Sequence, residues 1–312
     1  MKIASFGNST FDTTVYGKEF IVENKRISFD YSTMTPGGPA SNAASVIAKF
    51  GNPVDLYGRV GIDAYGSFIK KMLKEENINT RYLKESDKVS TPFSFIIINT
   101  TNGTRTINTI RSSVEYNNPK IEDFEYRTDY DFILVDGKYP EDSIELIDNN
   151  HDAISIIDAG RATPGVIEVC KKVNFIICSE DFANAVTKSK IDDNEDNNVR
   201  IFRKMQEIFP KATIAITVGK NGYMCEKDSE VVTIPAYVPE APTIDTNAAG
   251  DIFHGAFTYA IANGYDYHQS LEFANVTASL STTKSGGRYS CPSLQEVEDV
   301  LVKEKKFVKE KK

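Results

Sequence analysis

Residues 245–251, DTNAAGD, place an aspartate beside several small residues, just ahead of an apolar stretch, IFHGAFTYAIA. Small residues before a helix leave backbone N–H groups exposed at its positive end, where an anion can bind. At the same point, Asp251 can accept a proton from an incoming hydroxyl. A base beside fixed N–H donors is what phosphoryl transfer requires, so the segment predicts that chemistry. The alternative is that Asp251 only caps the helix, because aspartate is a favoured N-cap residue.

Two glycine-containing segments can add binding groups to such a site. Residues 37–42, GGPASN, precede a helical run, AASVIAKFG. The paired glycines let the backbone approach a ligand closely, and Asn42 offers a donor and an acceptor to a polyol hydroxyl. The same residues also fit a tight turn with a helix cap. Residues 219–222, GKNG, fit either a loop on the nucleotide side of a site or an ordinary turn between strands.

The composition excludes several classes of function. The chain has 312 residues, of which 40% are hydrophobic, so a single domain over residues 1–312 can bury a full core. Acidic residues outnumber basic ones by 44 to 36, so no nucleic-acid partner is expected. No apolar run reaches the ~18 residues of a membrane helix, and no secretory signal is present, so a cytoplasmic protein without a membrane partner is expected. The spacing of the four cysteines and three histidines predicts reduced thiols and no zinc site.

The order of strand-like and helix-like segments predicts an α/β fold. Apolar runs alternate with helix-periodic segments, which is typical of a mostly parallel sheet covered by helices on both faces. Strands are predicted at residues 2–6, 54–57, 132–135, 154–158, 175–178 and 213–218, and helices at 41–50, 65–76, 198–208 and 251–263.

A second, smaller sheet is predicted beside the main one. Residues 92–100 and 104–111 are β-rich and flank Asn102-Gly103, a dipeptide that favours a tight hairpin turn. Residues 14–33 are also β-rich, so the small sheet is expected to comprise about 13–34 and 91–112. Such a sheet can act as a lid over a cleft or serve only as a structural addition. Its unpaired edges predict a homodimer formed through it.

Four motifs in order resemble those of the ribokinase and PfkB family of carbohydrate kinases. GGPASNAASVIAKFG resembles the family's N-terminal signature and DTNAAGDIFHGAF its C-terminal one, with GRVGIDAYG and TVGKNG between them. The resemblance spans residues 7–292 and implies a ribokinase-like three-layer α/β/α sandwich with a small β-sheet lid. It also implies phosphorylation of a small sugar such as fructose or ribose by ATP, with Mg²⁺ and, as in similar enzymes, K⁺. TPFSFIIINTTNGTRTI, DFILVDGKYPEDSI and DAGR are similar to segments of ketohexokinase-like fructokinases.

The resemblance also implies roles for individual residues. Asp251 is the expected catalytic base, and the backbone N–H groups of Ala248, Ala249 and Gly250 form the expected anion hole. The other implied residues are Asp12, Gly38, Asn42, Arg105 and Asp136 for the sugar, and Thr217, Gly219, Gly222, Ser285, Gly286 and Gly287 for the nucleotide. For Arg105 and Asp136, the alternative is a surface or structural role, since charged residues are often simply solvated.

The chain departs from the family pattern at three places. Ala248 stands where glycine is common, and alanine can serve there if its φ angle permits. SEDF replaces the usual N-x-x-E, so Glu180 or Asp181 is expected to hold magnesium through water. Pro39 stands where ketohexokinases carry a polar amide, which removes one sugar contact. Asp245 is expected near a monovalent cation.

Two alternatives to a sugar kinase stay open from the sequence. One is a nucleoside kinase of the same family, in which Tyr16, Phe93 and Phe95 would line an aromatic pocket; these rings fit ordinary strand packing equally well. The other is a catalytically silent protein that binds a sugar to regulate a partner, which the SEDF departure allows.

Overall fold

The computed structural model describes residues 1–110, 120–121 and 124–304. The strands are β1 Ile3–Phe6, β2 Thr10–Gly17, β3 Tyr31–Gly37, β4 Val54–Gly61, β5 Leu83–Ser86, β6 Phe93–Asn99, β7 Arg105–Ile110, β8 Phe132–Val135, β9 Ile154–Ala159, β10 Phe175–Ser179, β11 Thr213–Thr217, β12 Tyr223–Lys227 and β13 Glu230–Ile234. The helices are α1 Pro39–Lys49, α2 Ala64–Glu75, α3 Pro140–Asp148, α4 Pro164–Cys170, α5 Glu180–Thr187, α6 Glu195–Ile208, α7 Ala249–Ala262, α8 Tyr267–Ser281 and α9 Leu294–Lys303.

A nine-stranded sheet forms the centre of the fold, in the order β13-β12-β11-β10-β9-β8-β1-β4-β5. Its strands pair in parallel from β11 to β5, and β12 and β13 add an antiparallel edge. The predicted three-layer α/β/α architecture is confirmed. Within the described residues, no helix combines the length and apolar character that crossing a membrane requires.

Side-chain alternation along the central strands explains why both faces of the sheet are covered. On β8, Ile133 and Val135 belong to one buried cluster, and Leu134 between them belongs to the cluster on the opposite face. On β10, Ile176 and Ile177 divide in the same way. A strand buried on both faces must be apolar at successive positions, and continuous apolar runs are therefore the signature of this layer.

The second sheet has four strands in the order β3-β2-β6-β7. Strands β6 and β7 form the predicted antiparallel hairpin, and Gly103 adopts a φ of +70° in its turn. Residues 18–30, expected to be β-rich, connect β2 to β3 without being strand. Residues 111–112 of the expected lid lie outside the described residues.

The register places Asp12, Tyr16 and Arg105 on the same face of the sheet. That the sheet closes as a lid remains a prediction.

We expect this small sheet to mediate the predicted homodimer. Met34 on β3 is 59% exposed and Ile110 on β7 is 69% exposed, an apolar surface that a second copy can cover. The wild-type chain is expected to sediment at twice its 34.7 kDa. Met34→Glu/Ile110→Glu is expected to sediment as a monomer, whereas Val238→Glu, which changes an apolar residue 82% exposed outside this sheet, is expected to remain dimeric. A monomeric wild-type chain would contradict the prediction.

Candidate active site

The N-terminal and C-terminal motifs meet where helices α1 and α7 pack against each other. A Cβ atom on Gly255 of α7 would lie 2.6 Å from the carbonyl oxygen of Ala43 in α1, so glycine permits the close approach. This packing brings Asn42 Nδ2 to 2.6 Å from Asp251 Oδ2. Two residues predicted separately to bind the sugar and to act as base are therefore hydrogen-bonded to each other.

Asp12 and Gly38 are brought together by the pairing of β2 with β3. Thr10 on β2 lies opposite Gly37, and a Cβ on Gly37 would lie 1.8 Å from Asp12 Oδ2. Gly38 has a φ of +93°, and a Cβ there would lie 2.5 Å from the carbonyl oxygen of Asn8. Burial raises the pKa of Asp12, and hydrogen bonds from neighbouring hydroxyls, including one of 2.7 Å from Thr10, oppose that rise. The two predicted sugar residues therefore lie close to each other at the junction of β3 and α1.

Asp251 lies in the first turn of α7 and is only partly exposed. Burial, and after it the negative charge of Asp158 at the end of β9, raise the pKa of Asp251 to about 7. The hydrogen bond from Asn42 and the charges of His254 and Arg105 oppose that shift. A carboxyl group whose pKa lies near neutral pH is suited to exchange a proton with a substrate hydroxyl.

The backbone ahead of Asp251 forms an uncapped helix N-terminus. Ala248 takes the N-cap position with a φ of +62°, the left-handed conformation that costs a non-glycine residue about 1–2 kcal/mol. Among the described residues, no side chain caps α7, although the Ala249 N–H makes a long hydrogen bond of 3.4 Å to the Thr246 carbonyl oxygen. A Cβ on Gly250 would meet no described atom within 4 Å. Space is therefore free on the Cβ side of Gly250, and the anion hole itself remains a prediction.

The loop at residues 285–287 packs against the start of the DTNAAGD segment. The Gly286 N–H lies 3.1 Å from Asp245 Oδ2 and 2.9 Å from the Tyr16 hydroxyl. A Cβ on Gly287 would lie 3.0 Å from Asn247 Nδ2. This loop, which contains Ser285, therefore lies beside the anion hole, in keeping with its predicted nucleotide role.

The segment that contains Thr217, Gly219 and Gly222 is a turn between β11 and the antiparallel β12. A Cβ on Gly222 would lie 2.0 Å from the carbonyl oxygen of Ile234, so close packing already requires glycine there. This geometry agrees with the ordinary turn between strands that the sequence also predicts for these residues. Nucleotide binding by them remains a prediction.

Arg105 reaches the same region from the hairpin of the small sheet. Its Nη1 donates to Thr246 Oγ1 at 2.9 Å, and that hydroxyl donates to the Gly103 carbonyl oxygen at 3.1 Å. The Tyr16 hydroxyl donates to Asp245 Oδ2 at 3.1 Å. The small sheet is therefore attached at two points to the loop that precedes the anion hole.

Asp136 holds three backbone segments together. Its Oδ2 accepts hydrogen bonds from the N–H groups of Asn8 at 2.7 Å and Ala40 at 3.3 Å, and its Oδ1 accepts one from Lys138 at 2.9 Å. Burial raises its pKa to about 6. A carboxylate has about four acceptor positions, so roughly one remains for a substrate. These contacts give Asp136 a structural role, which is the alternative that the sequence leaves open. Direct contact of Asp136 with the sugar remains a prediction.

The residues predicted to hold cations lie at strand ends beside the site. Glu180 and Asp181 begin α5 directly after β10, with Glu180 partly buried and Asp181 exposed. Two carboxylates suit Mg²⁺, which takes one or two of them together with water and substrate phosphates. Within the described part of the chain, no group of three or more His, Cys, Asp or Glu side chains is arranged to hold a metal. Asp245 already accepts three hydrogen bonds, from Asn247 N–H, Tyr16 and Gly286, so it offers a monovalent cation little more than one lone pair.

Two residues that act on Asp251 escaped the sequence analysis. Asp158 belongs to the DAGR segment, which carries a family likeness, and His254 is one of the three histidines whose spacing predicts no zinc site. Their connection joins β9 to α7, with His254 Nδ1 3.4 Å from Asp158 Oδ2. The signal available beforehand was an isolated histidine three residues after the predicted base.

Comparison with known proteins identifies the family. The profile of the pfkB family carbohydrate kinases matches residues 1–294. The chain belongs to this family. Ribokinase from Bacillus subtilis is 28% identical over 271 residues, which cover 85% of this chain and 87% of that protein. A solved structure from Agrobacterium tumefaciens has a TM-score of 0.87 at 24% identity, covering 98% and 99% of the two chains. Ribokinase from Arabidopsis thaliana, solved with ribose and ATP, has a TM-score of 0.79 at 20% identity, covering 98% of both chains.

Membership of the pfkB family makes the chain a phosphotransferase that acts on a sugar hydroxyl. The solved structures share its fold, in agreement with the ribokinase-like architecture expected from the motifs. The likeness to fructokinases noted in the sequence is weaker than the likeness to ribokinases.

Proposed function

We propose that the chain is an ATP-dependent kinase that phosphorylates a hydroxyl of a small sugar of the ribose type, with Asp251 as general base. The observation that carries the proposal is the 2.6 Å hydrogen bond between Asn42 and Asp251 at the open N-terminus of α7. This bond joins the Asn42 amide, which can bind a polyol hydroxyl, to the Asp251 carboxylate, which can accept the proton of that hydroxyl. The ribokinase relatives support a pentose as the first substrate to test.

In the proposed reaction, Asp12 on β2, Gly38 at the start of α1 and Asn42 in α1 hold the sugar. Asp251 takes the proton of the bound hydroxyl while the oxygen forms a bond to the γ-phosphorus of ATP. The bond from that phosphorus to the β,γ-bridging oxygen breaks, and ADP leaves. The backbone N–H groups of residues 248–251 face the charge on the transferring phosphoryl group.

Magnesium, held by Glu180 and Asp181 through water, would neutralise charge on the ATP phosphates when bound. The small sheet contributes by excluding water. Its attachment through Arg105 and Tyr16 keeps it over the loop of residues 243–247, and a covered site protects ATP from hydrolysis.

The test is turnover of the purified chain with ATP and Mg²⁺, with coupled detection of ADP. The panel contains ribose, 2-deoxyribose, fructose, 2-keto-3-deoxygluconate and several nucleosides. We expect ADP release that depends on a monosaccharide and is fastest with a pentose. Release that depends only on nucleosides would replace the proposal with a nucleoside kinase. Tight sugar binding without turnover would replace it with a sugar-binding regulator.

The described contacts favour the sugar over a nucleoside. The Tyr16 ring stacks on Tyr31 at 4.4 Å between ring centres. Phe93 packs against Phe11 at 6.0 Å and Tyr65 at 5.8 Å. The Tyr16 and Phe93 rings, which are the candidates for stacking on a nucleoside base, thus pack against other rings of the protein. This is the ordinary strand packing that the sequence also predicts for them.

A further inference from the structure

His254 is buried one turn after Gly250 in helix α7 and is only 4% exposed. Both of its ring nitrogens face carbonyl oxygens: Nδ1 lies 2.6 Å from Gly250 O, and Nε2 lies 3.1 Å from Ile177 O. A carbonyl oxygen only accepts hydrogen bonds, and a neutral imidazole carries one N–H. In either neutral tautomer, one ring nitrogen would direct its lone pair at an oxygen lone pair. The doubly protonated ring satisfies both contacts.

A buried cation requires a nearby anion, because an unpaired charge is costly away from water. Asp158 supplies it, with Oδ2 3.4 Å from His254 Nδ1 and a side chain 16% exposed. The carboxylate of Asp158 also acts on Asp251 by charge repulsion. The imidazolium therefore lies among two carboxylates and partly compensates for their repulsion.

The contact with Gly250 also controls the geometry of the anion hole. The Gly250 carbonyl and the Asp251 N–H belong to one planar peptide, so a ring that holds the oxygen also sets the direction of the N–H. Gly250 has no side chain, and its Cα position faces open space. Packing against a side chain at this position therefore cannot hold the peptide in place.

We propose that His254, doubly protonated and paired with Asp158, is a positioning residue that fixes the Gly250–Asp251 peptide and keeps Asp251 ionised for its role as base. This inference rests on the proposed function. The groups that act on Asp251 come from four elements: Asn42 from α1, Arg105 from β7, Asp158 from β9 and His254 from its own helix. With His254 made neutral, Arg105 is the cation that remains among these groups.

The first test examines the ring directly and does not depend on activity. The chain is labelled with ¹⁵N-histidine, and the ring signals of His254 are assigned by their loss in His254→Gln. We expect both ring nitrogens to be protonated at the pH of the activity optimum. A neutral tautomer with one unprotonated nitrogen would overturn the proposal, even if the kinase activity is as proposed. Conversely, absence of sugar kinase activity with a doubly protonated ring would contradict the proposed function and leave the charge assignment standing.

The second test compares pH profiles of kcat/KM for the wild-type chain, His254→Gln and Thr258→Val. Thr258 is a fully buried neighbour in α7 whose hydroxyl donates to the His254 carbonyl at 2.8 Å, so its variant disturbs the same packing without removing a charge. In His254→Gln, we expect the acid limb to move up by about 1 pH unit, because a nearby cation has been lost. We also expect plateau kcat to fall about 10²-fold, the effect of a disturbed oxyanion donor.

In Thr258→Val, the acid limb of the kcat/KM profile is expected to stay at the wild-type pH. If His254→Gln lowers activity but leaves the acid limb of the kcat/KM profile at the wild-type pH, His254 has only a structural role and the proposal is overturned. If His254→Gln does not fold, His254→Asn provides the same comparison, since it also removes the charge and retains a donor.

Discussion

Asp251→Asn is expected to lower kcat by about 10²- to 10⁴-fold, the usual contribution of a general base. The amide has nearly the shape of the carboxylate, and its oxygen can still accept the hydrogen bond that Asn42 donates at 2.6 Å. Sugar binding should therefore persist, with a dissociation constant close to that of the wild-type chain. Turnover is measured by coupled ADP detection, and binding by calorimetry.

Asp196→Asn is the matched control, because Asp196 also lies in the first turn of a helix, α6, and is exposed. It makes the same chemical change and is expected to retain wild-type turnover. An Asp251→Asn variant with near-normal kcat would remove the base from the mechanism. Loss of sugar binding together with kcat would instead assign Asp251 to binding.

The pH dependence provides an independent check on the same residue. Because the pKa of Asp251 is raised to about 7, the carboxyl group becomes protonated as pH falls below neutral and can no longer take a proton. We expect kcat/KM of the wild-type chain to decrease about tenfold per pH unit on the acid side of that value. The residual activity of Asp251→Asn should lack this limb.

The central fold could be predicted because its signal is local. Runs such as residues 132–135 and 175–178 are apolar at successive positions, and strands buried on both faces demand that pattern. Elements with polar residues were harder to delimit. Strand β4 continues beyond the predicted residue 57 through a buried Arg59 to Gly61. Helix α6 begins at Glu195, not 198, because the Asn194 side chain accepts a hydrogen bond from the Asn197 N–H.

The candidate site likewise contains residues that the sequence predicts and residues that only the folded structure reveals. Asp251 and the small residues before it stand together in the sequence, so their chemistry was visible from type and spacing. The family resemblance predicts Asp136 at the substrate, whereas its hydrogen bonds to the N–H groups of Asn8 and Ala40 depend on a loop and a helix start that are distant from it in sequence. His254 contacts the carbonyl of Ile177 on β10, and no periodicity in α7 indicates that partner. Contacts that require two packed elements are set by tertiary structure, which a pattern within one segment does not encode.

Arg288→Met is expected to lower the free energy of unfolding by about 3–5 kcal/mol, the cost of breaking a buried ion pair by removing one partner. The Arg288 side chain is fully buried, with Nη2 2.8 Å from Glu76 Oε2. Its guanidinium also donates to Ser41, at 2.9 Å to Oγ and 3.1 Å to the carbonyl oxygen. Methionine retains much of the apolar stem but removes the guanidinium, so Glu76 loses its buried cation and, among the described residues, keeps only the hydroxyl donors Ser45 and Tyr289.

The matched control is Lys284→Met, which breaks an exposed ion pair with Glu296 of 2.7 Å. An exposed pair contributes about 0–1 kcal/mol, so urea unfolding should separate the two variants clearly. Equal losses would contradict the assignment of a buried pair. Arg288 follows the loop of residues 285–287 and binds the residue before Asn42, so it links the expected nucleotide side to the sugar side. We therefore also expect the KM for the sugar to rise in Arg288→Met and to stay unchanged in Lys284→Met.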